Sequence, residues 1–318
     1  MKLNDAQLNF FISKVLKLAP GKRLEYLAQV DGLIGRMRVK IESDSKFGVK
    51  KFTTTGSLRK GTVLRPRGDD GVDADVAVEL DVSEASKGDI DSLHEKLRKL
   101  LCAVYPQKVS EDFKVQPRTL GIHFRESGLD VDLVPIIPIP SQAGYGWQPS
   151  SQGAPPVKTS VQGQLDFIKK RSDADARYRP LVRLVKGWRN SRELDAFRSF
   201  SIELIVAYLN DTEGISEDLE AGLLRFFRFV AQSELKTKLS FRENGPVPDY
   251  PNDPVVILDP VNKSNNVANR LTEGERREIV DAARNAWEIL TTARRNGFKG
   301  ETVDCWKEVF GRSFVIEE

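Results

Sequence analysis

The sequence has few of the residues that build disulfide frameworks or histidine-rich sites. Among 318 residues there are two cysteines, Cys102 and Cys305, and two histidines, His94 and His123. Two cysteines are too few for a disulfide framework and indicate a reducing cytoplasm. Two histidines argue against a metal site or a catalytic centre built mainly from imidazole groups.

Long apolar runs and a large excess of one charge are also lacking. The first residues, MKLNDAQLNF, contain no basic segment followed by an apolar one, so no signal peptide is predicted. No uncharged apolar run is long enough to cross a bilayer. The 49 basic and 46 acidic side chains give a net charge of +3, far from the excess of a protein held on DNA by charge alone. We expect a cytoplasmic protein without membrane contact.

The first half of the chain alternates between helix and strand patterns. Apolar residues make up 40% of the sequence, which is enough for one or two packed domains. Their spacing predicts a long amphipathic helix at about 21–43, a helix at about 89–105, and strands at 49–57, 73–82, 119–124 and 129–134. The last two strands are interpreted as a hairpin that turns at 126–128.

The second half is predicted to be helical. The stretch from Pro135 to Ser160 is rich in Pro, Gly, Ser and Gln, and we interpret it as an irregular segment joining two lobes. Helical periodicity follows over 161–191, with a break before Pro180, and over 197–211, 216–235 and 272–297, the last with a Thr272–Glu275 capping box. The fold class is α+β (mixed α/β), with lobes at 1–160 and 161–318.

Three aspartates on predicted strands form the strongest chemical signal. Asp73 and Asp75 are two residues apart, so both carboxylates project from one face of a strand, roughly 6–7 Å apart. Asp132 lies on a later strand, on the face that it shares with Asp130. If the two strands are neighbours, the carboxylates converge and repel one another unless cations lie between them. Oxygen ligands of this kind suit Mg²⁺, or Mn²⁺, rather than zinc.

A glycine-serine turn upstream decides between two interpretations of these acids. Taken alone, they are more typical of the solvent-facing side of an antiparallel sheet. Gly56 permits a tight turn whose amides form a concave set of donors for phosphate, and Ser57 adds a hydroxyl at the start of a short helix. A Gly-Ser turn, paired aspartates on a strand and a third strand-borne aspartate together predict a nucleotide-binding active site.

These motifs resemble a known family. GSLRKGT at 56–62, DAD at 73–75 and DVDLVP at 130–135 are similar to the polymerase-β-like nucleotidyltransferases, and more narrowly to the bacterial cGAS/DncV-like nucleotidyltransferases (CD-NTases) of anti-phage CBASS systems. The resemblance extends through FRSFSIELIVA and ILDPVNKSNNVANRL to WKEVFG near the end, and is strongest to the HORMA-associated subgroup.

The resemblance implies a fold, an activity and partners. It implies a mixed-sheet catalytic lobe with a long N-terminal helix and a helical lobe that completes the nucleotide cleft. The implied activity joins ATP, with other NTPs as further candidates, into a cyclic oligonucleotide, a cyclic oligoadenylate and first of all cyclic tri-AMP. The implied partners are a HORMA-domain activator and an AAA-type ATPase regulator, with double-stranded DNA as a further candidate effector.

The resemblance also assigns residues in the second lobe. Lys186 in RLVKGWRN matches a lysine that contacts the triphosphate, and Ser199 in FRSFSIEL matches a polar residue that contacts the same phosphates. Asn265 and Asn266, in a polar loop before the last predicted helix, are candidates for base recognition, although Asx turns explain such a loop equally well. A lysine on a helix is otherwise usually a solvated surface charge.

The expected mechanism uses two metal ions, roughly 4 Å apart, held by Asp73, Asp75 and Asp132. One ion activates the acceptor ribose hydroxyl for attack on the α-phosphate, and the other stabilises the departing pyrophosphate. Two alternatives stay open from the residues. One is a different transferase on the same catalytic lobe, which tails RNA or nucleotidylates a small molecule. The other is a catalytically silent module that binds nucleotide or RNA. Product size, linkage and base are not encoded in these patterns.

Overall fold

The computed structural model describes residues 1–43, 48–68, 71–81, 90–150, 155–295 and 297–317, with the backbone alone at 90–92. The chain forms two compact units. The sheet unit is Ala19–Leu165, and the helical unit combines Met1–Leu18 with Asp166–Glu318. The predicted division at residue 160 stands close to this one, but the first 18 residues pack with the helical unit.

A mixed sheet organises the sheet unit. Its strands are β1 (Val49–Thr55), β2 (Val72–Leu80), β3 (Phe113–Val115), β4 (Leu120–Phe124), β5 (Leu129–Pro138), β6 (Gly146–Gln148) and β7 (Val157–Thr159). The main order is β1-β2-β5-β4-β3, with β6 pairing β5 and β7 pairing β6. Only β2 and β5 run parallel among these pairs, so the predicted mixed sheet is confirmed.

Strand alternation builds the core of the sheet unit. Val76 and Val78 on β2 and Val131 and Leu133 on β5 are fully buried, because residues two apart on a strand face the same side. Among the described residues, three α-helices lie wholly within this unit: α2 (Lys22–Ser43), the short α3 (Gly56–Lys60) and α4 (Ile90–Val104). The predicted helices at 21–43 and 89–105 are thus confirmed to within a residue, except that Asp89 lies outside the described residues.

The helical unit contains seven helices in the part of the chain that the structure describes. They are α1 (Asp5–Phe11), α5 (Val161–Ala174), α6 (Tyr178–Ser191), α7 (Ser199–Glu213), α8 (Leu219–Ser233), α9 (Glu273–Arg295) and α10 (Lys299–Phe310), where α5 enters this unit at Asp166. A π-helical turn, Ile12–Leu16, follows α1, and β8 (Leu258–Asp259) and β9 (Asn262–Asn266) form a small hairpin. No helix among the described residues is long and apolar enough to span a bilayer.

Aromatic packing explains why the N-terminal segment joins the helical unit. The Phe11 ring lies 5.4 Å from Phe310 and 4.7 Å from Phe314, and Trp306 stacks on Phe314 at 5.1 Å. All four side chains are almost completely buried. Burying such rings removes a large apolar area from water, so the first and last helices of the unit depend on one another.

Several predictions of local structure are corrected. The segment from Pro135 to Ser160 was predicted to be irregular, but β5 continues to Pro138 and β6 and β7 also lie within it. Three-residue strands carry too little alternation to be recognised. Helices α1 and α10 were not predicted, although an Asn4–Gln7 capping box marks the start of α1. The Thr272–Glu275 box is confirmed. Val82, the predicted end of the strand at 73–82, and Asn296, within the predicted helix at 272–297, lie outside the described residues, and the helix ends at Arg295.

Candidate active site

Four aspartates share one face of the sheet at the junction of β2 and β5. The parallel register pairs Asp73 with Asp130 and Asp75 with Asp132, and neighbouring strands lie about 4.8 Å apart. The alternating residues Ala74 and Val131 face the core and are buried. The strands that carry Asp73, Asp75 and Asp132 are therefore neighbours, which is the condition for their carboxylates to converge, and Asp130 lies beside them.

Gly56 fits the turn that leads from β1 to α3 for two reasons. Its φ is +68°, a left-handed conformation that side chains disfavour. A Cβ at this position would also lie 1.9 Å from Oδ2 of Asp75. This close approach results from the register of β1 and β2, because Thr55 pairs with Asp75 and the chain then turns over the Asp75 carboxylate. Glycine at 56 thus brings the backbone of the turn directly against an acidic side chain.

Arg23 ties the end of α3 to the first turn of α2. Its Nε donates to the carbonyl oxygen of Leu58 at 2.9 Å and its Nη2 donates to that of Arg59 at 3.2 Å. The last carbonyls of a helix have no partner within the helix, so one guanidinium satisfies two of them. Gly61 closes the helix in the left-handed region, with φ +72°. Nothing in the sequence around Arg23 points to this role.

The site is electrostatically costly. Burial raises the pKa of Asp75, the charge of Asp73 raises it further, and Lys60 opposes the shift. Burial raises the pKa of Asp132 to about 6, with further contributions from Asp75, Asp73 and Asp130. Folding therefore gathers carboxylates whose charged forms are destabilised, and perturbation of this kind is characteristic of functional sites.

Asp130 and Asp132 differ in their surroundings. Nδ1 of His123 lies 2.9 Å from Oδ1 of Asp130, so Asp130 already has a strong partner. Asp132 pairs with Gly121 on the neighbouring strand β4, and a Cβ added to Gly121 would lie 3.0 Å from Oδ1 of Asp132. Gln116 lies near the hydrogen-bonding limit of the same oxygen, at 3.5 Å. His123 and Gly121 alternate on β4 opposite the two acids, a pattern that appears only once the strand register is known.

The chemistry of these side chains fits a hard divalent cation. Carboxylate oxygens are the ligands that Mg²⁺ and Mn²⁺ prefer, and a positive charge would relieve the repulsion that raises the pKa of Asp132. Within the described ranges, no three His, Cys, Asp or Glu side chains already lie close enough together to hold one ion. Asp73, Asp75 and Asp132, on their shared face, are the residues that would hold such an ion.

Two further predicted residues lie in the helical unit. Lys186 on α6 is buried, with only 4% of its surface exposed, so it is not an ordinary solvated lysine. Ser199 is the first residue of α7, and its Oγ accepts a hydrogen bond from Nη1 of Arg189 at 3.2 Å. Arg189 lies one turn after Lys186, and burial lowers its pKa. Sequence reasoning missed Arg189, although the K-x-x-R spacing places it on the helix face of Lys186.

The two asparagines of the polar loop have different environments. Asn266 is buried; its Oδ1 accepts from the amides of Ile257 and Ala268, and its Nδ2 donates to Asp253 and to the carbonyl of Val255. These four bonds use the full capacity of the amide, so the side chain stabilises the β8–β9 region. Asn265 donates to Oδ2 of Asp259 at 3.1 Å.

Known proteins resemble this chain in sequence and in fold. A scan against protein-family models finds no match. The chain is 40% identical over 318 residues to the CBASS oligonucleotide cyclase CdnC of Escherichia coli (strain KTE188), covering 100% of this chain and 99% of the relative. It is 33% identical over 314 residues to a cyclic AMP-AMP-AMP synthase of Escherichia coli (strain MS 115-1), covering 96% and 95%.

Solved structures agree with these relatives. The structure of E. coli MS115-1 CdnC with ATP superposes with a TM-score of 0.84 at 30% identity, covering 98% of this chain and 99% of that one. The complex of the same CdnC with HORMA-deltaN superposes at 0.83 and 30% identity, covering 98% of both chains. The similarity spans the sheet unit and the helical unit alike.

Proposed function

This chain belongs to the CBASS oligonucleotide cyclases of the CD-NTase family, and we propose that it joins ATP into a cyclic oligoadenylate, with cyclic tri-AMP as the first candidate. It is a nucleotidyltransferase with the mixed-sheet fold of that family. ATP is supported by the ATP-bound structure of the similar CdnC. The trimeric adenylate is supported by the name of the 33% identical synthase.

The observation that carries the proposal is the register of β2 and β5 beneath the Gly56 turn. Asp75 and Asp132 are paired across the strands, and Gly56 lies against Asp75. Amides of the turn and a metal-binding carboxylate then face the same phosphates, which is what nucleotidyl transfer requires. We assign Asp73, Asp75 and Asp132 as ligands of two Mg²⁺ ions, with Mn²⁺ as a substitute. When bound, such ions lower the pKa of the attacking hydroxyl and neutralise charge on the departing pyrophosphate.

The chain's own groups position the donor nucleotide. The backbone at Gly56 and the hydroxyl of Ser57 bind phosphate oxygens, and Arg23 holds the helix that carries them. In the helical unit, Lys186 and Ser199 are the residues that the resemblance proposes for contact with a triphosphate, and Asn265 is the remaining candidate for base contact. The acceptor hydroxyl loses its proton and attacks the α-phosphorus. The bond between the α-phosphorus and the oxygen that bridges to the β-phosphate breaks, and pyrophosphate leaves. Positioning and electrostatics supply most of the rate.

A double substitution tests the assignment. Asp73→Asn/Asp75→Asn removes two charges from β2 and is expected to abolish ATP consumption while the fold is retained, because asparagine is nearly isosteric. Glu79→Gln is the matched control, since Glu79 lies on the same face of the same strand and pairs with Lys50 at 3.4 Å. Circular dichroism establishes folding. Undiminished turnover in the double variant, or equal loss in Glu79→Gln, would reject the assignment.

A HORMA-domain protein is the proposed partner. The similar CdnC forms a complex with HORMA-deltaN, and we extend that partner to this chain. Co-purification with a HORMA-domain protein of the kind that binds the similar CdnC, followed by turnover assays with and without it, tests the extension. Failure to bind at micromolar concentration would reject it. An AAA-type ATPase regulator, activation by double-stranded DNA and a cytoplasmic location stay predictions.

Other nucleotidyl transfers remain distinguishable by their products. An enzyme that tails RNA or modifies a small molecule yields attached or linear AMP, whereas a cyclic product has no terminal phosphate. With ATP as the only substrate no acceptor for attached AMP is present, and phosphatase then separates a cyclic product, which is resistant, from linear oligoadenylates, which lose their terminal phosphates. A silent nucleotide-binding module would show no turnover with Mg²⁺ even in the presence of the HORMA partner.

A further inference from the structure

A polar cavity, separate from the acidic face of the sheet unit, lies entirely within the helical unit. It has a volume of about 490 Å³ and is lined by the end of α7, the α7–α8 connection, α8 and α9. Three arginines and one tryptophan line it, namely Arg225, Arg228, Arg294 and Trp287, together with Ser216 and one acid, Glu213. Its size falls in the range of about 300–1,000 Å³ that is usual for small-ligand sites.

Arg225 is the least compensated charge of this cavity. Its guanidinium is half-buried and donates to the carbonyl of Gly214 and to Oδ1 of Asn210, both of which are neutral. Among the described residues no carboxylate lies within 4.0 Å of it, and its buried Nε has no hydrogen-bond partner there. Burial lowers the pKa of Arg225, the charges of Glu213 and Asp175 oppose that shift, and the neighbouring Arg228 adds to it. A half-buried cation with no carboxylate in direct contact is costly unless an anion binds to it.

Ser216 is a second buried polar group in the same cavity. Its Oγ has no hydrogen-bond partner among the described residues, and its side chain is held against α8, where a Cβ on Gly222 would lie 3.3 Å from that oxygen. Buried polar atoms are nearly always satisfied. Two such atoms on Ser216 and Arg225 in one cavity therefore point to a ligand that accepts hydrogen bonds.

The remaining arginines are held only by weak ion pairs. Arg228 contacts Glu213 at 3.1 Å, with about half of each side chain exposed. Arg294 lies 3.9 Å from both Glu217 and Glu220, and the amide of Leu3 also donates to Glu220. The half-exposed Arg228–Glu213 pair contributes little, and Arg294 lies at the distance limit of its pairs with exposed Glu217 and buried Glu220, so neither guanidinium is held by a close, buried ion pair.

We propose that this cavity binds a nucleotide-class phosphate ester, with its phosphate held by Arg225, Arg228 and Arg294 and its planar ring stacked on Trp287. Guanidinium groups bind phosphate through paired hydrogen bonds, and an indole ring offers a face for an aromatic base. A ligand of mononucleotide size supplies both groups within the volume available. The proposal depends on neither the cyclase reaction nor its metal ions.

Calorimetric titration with AMP in the presence of EDTA tests the site, because chelation suppresses nucleotide binding that depends on a metal. One AMP is expected per chain. Arg228→Gln/Arg294→Gln should weaken binding roughly tenfold or more, since two charge-assisted contacts are lost. Arg284→Gln is the matched control: Arg284 lies on α9 like Arg294, is equally exposed and pairs with Asp281 at 2.6 Å. It should leave the affinity unchanged.

Further arms separate the parts of the proposal. Adenosine and inorganic phosphate should each bind much more weakly than AMP. Arg225→Lys keeps the positive charge but loses the paired N–H donors of the guanidinium, so it should also weaken AMP binding while the melting temperature is retained. The Asp73→Asn/Asp75→Asn variant should bind AMP like the parent protein. Absence of AMP binding, equal binding by the arginine variants and Arg284→Gln, equal affinity for adenosine or phosphate, or loss of binding in the aspartate variant would each overturn the proposal.

Discussion

Replacing Gly56 with alanine is expected to damage the active site through two separable effects. The first is backbone strain, because φ at Gly56 is +68° and a left-handed residue other than glycine costs about 1–2 kcal/mol. The second is a collision, because the new Cβ would lie 1.9 Å from Oδ2 and 2.9 Å from Cγ of Asp75. Relieving such overpacking costs about 1–3 kcal/mol more and moves either the turn or the carboxylate.

Gly128→Ala isolates the first effect. Gly128 closes the β4–β5 hairpin with φ +65°, and a Cβ there would meet nothing within 4 Å. Urea unfolding should therefore show a loss of about 1–2 kcal/mol for Gly128→Ala and about 2–5 kcal/mol for Gly56→Ala. ATP turnover should fall about a hundredfold or more only in Gly56→Ala, because the phosphate turn and Asp75 are displaced relative to each other. Equal stability and full turnover of the two variants would refute the argument.

Three other substitutions test separate parts of the structure. Asp132→Asn in EDTA should raise the free energy of unfolding by about 1–2 kcal/mol at pH 7.5, after allowance for solvent screening. The reason is that the pKa of the Asp132 carboxyl is raised to about 6 in the folded protein, so its contribution to stability is lost as the pH rises through that value. The gain from the substitution should therefore vanish near pH 4. Asn266→Ala should lower the melting temperature markedly, at a cost of about 2–4 kcal/mol, since four buried hydrogen bonds are lost; retained stability would contradict its structural role. Arg23→Gln, which loses donation to Leu58 and Arg59, should raise KM for ATP more than it lowers kcat, and restoration by Arg23→Lys would support a positioning role over a purely structural one.

Glycines placed opposite acids recur across the sheet face of the site. A Cβ on Gly121 would press on Asp132, one on Gly71 would lie 2.5 Å from Oδ2 of Asp130, and Gly56 lies against Asp75. Each glycine leaves room for a carboxylate close to a backbone segment. The acidic face is thus accommodated by the neighbouring strands and turns, and that arrangement keeps carboxylates together despite their mutual repulsion.

Strong periodicity made much of this fold predictable from the sequence. The alternation at Asp73–Asp75 fixes which face carries the acids, and the long helix α2 follows from its apolar stripe. The parallel pairing of β2 with β5 was not predictable, because register between distant strands depends on tertiary packing. For the same reason the partner of Asp130, His123, could not be inferred, and neither could the packing of Phe11 against Phe314 in the helical unit.

Residue roles that rest on long-range contacts were equally hidden. Arg23 lies 35 residues before Leu58, and no local pattern links them. Asn266 was a candidate for base recognition because it lies in a polar loop, but its amide is fully used within the β8–β9 region. Local sequence indicates where polar side chains lie, whereas three-dimensional packing decides whether they face a ligand or the protein itself.

Mass spectrometry of the products formed with Mg²⁺ is the decisive experiment on the cyclase activity of this chain. The purified chain is incubated with ATP alone and with all four NTPs, each with and without the HORMA partner. We predict a phosphatase-resistant cyclic oligoadenylate, with cyclic tri-AMP as the main species, and no such product from Asp73→Asn/Asp75→Asn. Exclusively linear or attached AMP, or an equal yield from the double variant, would contradict it.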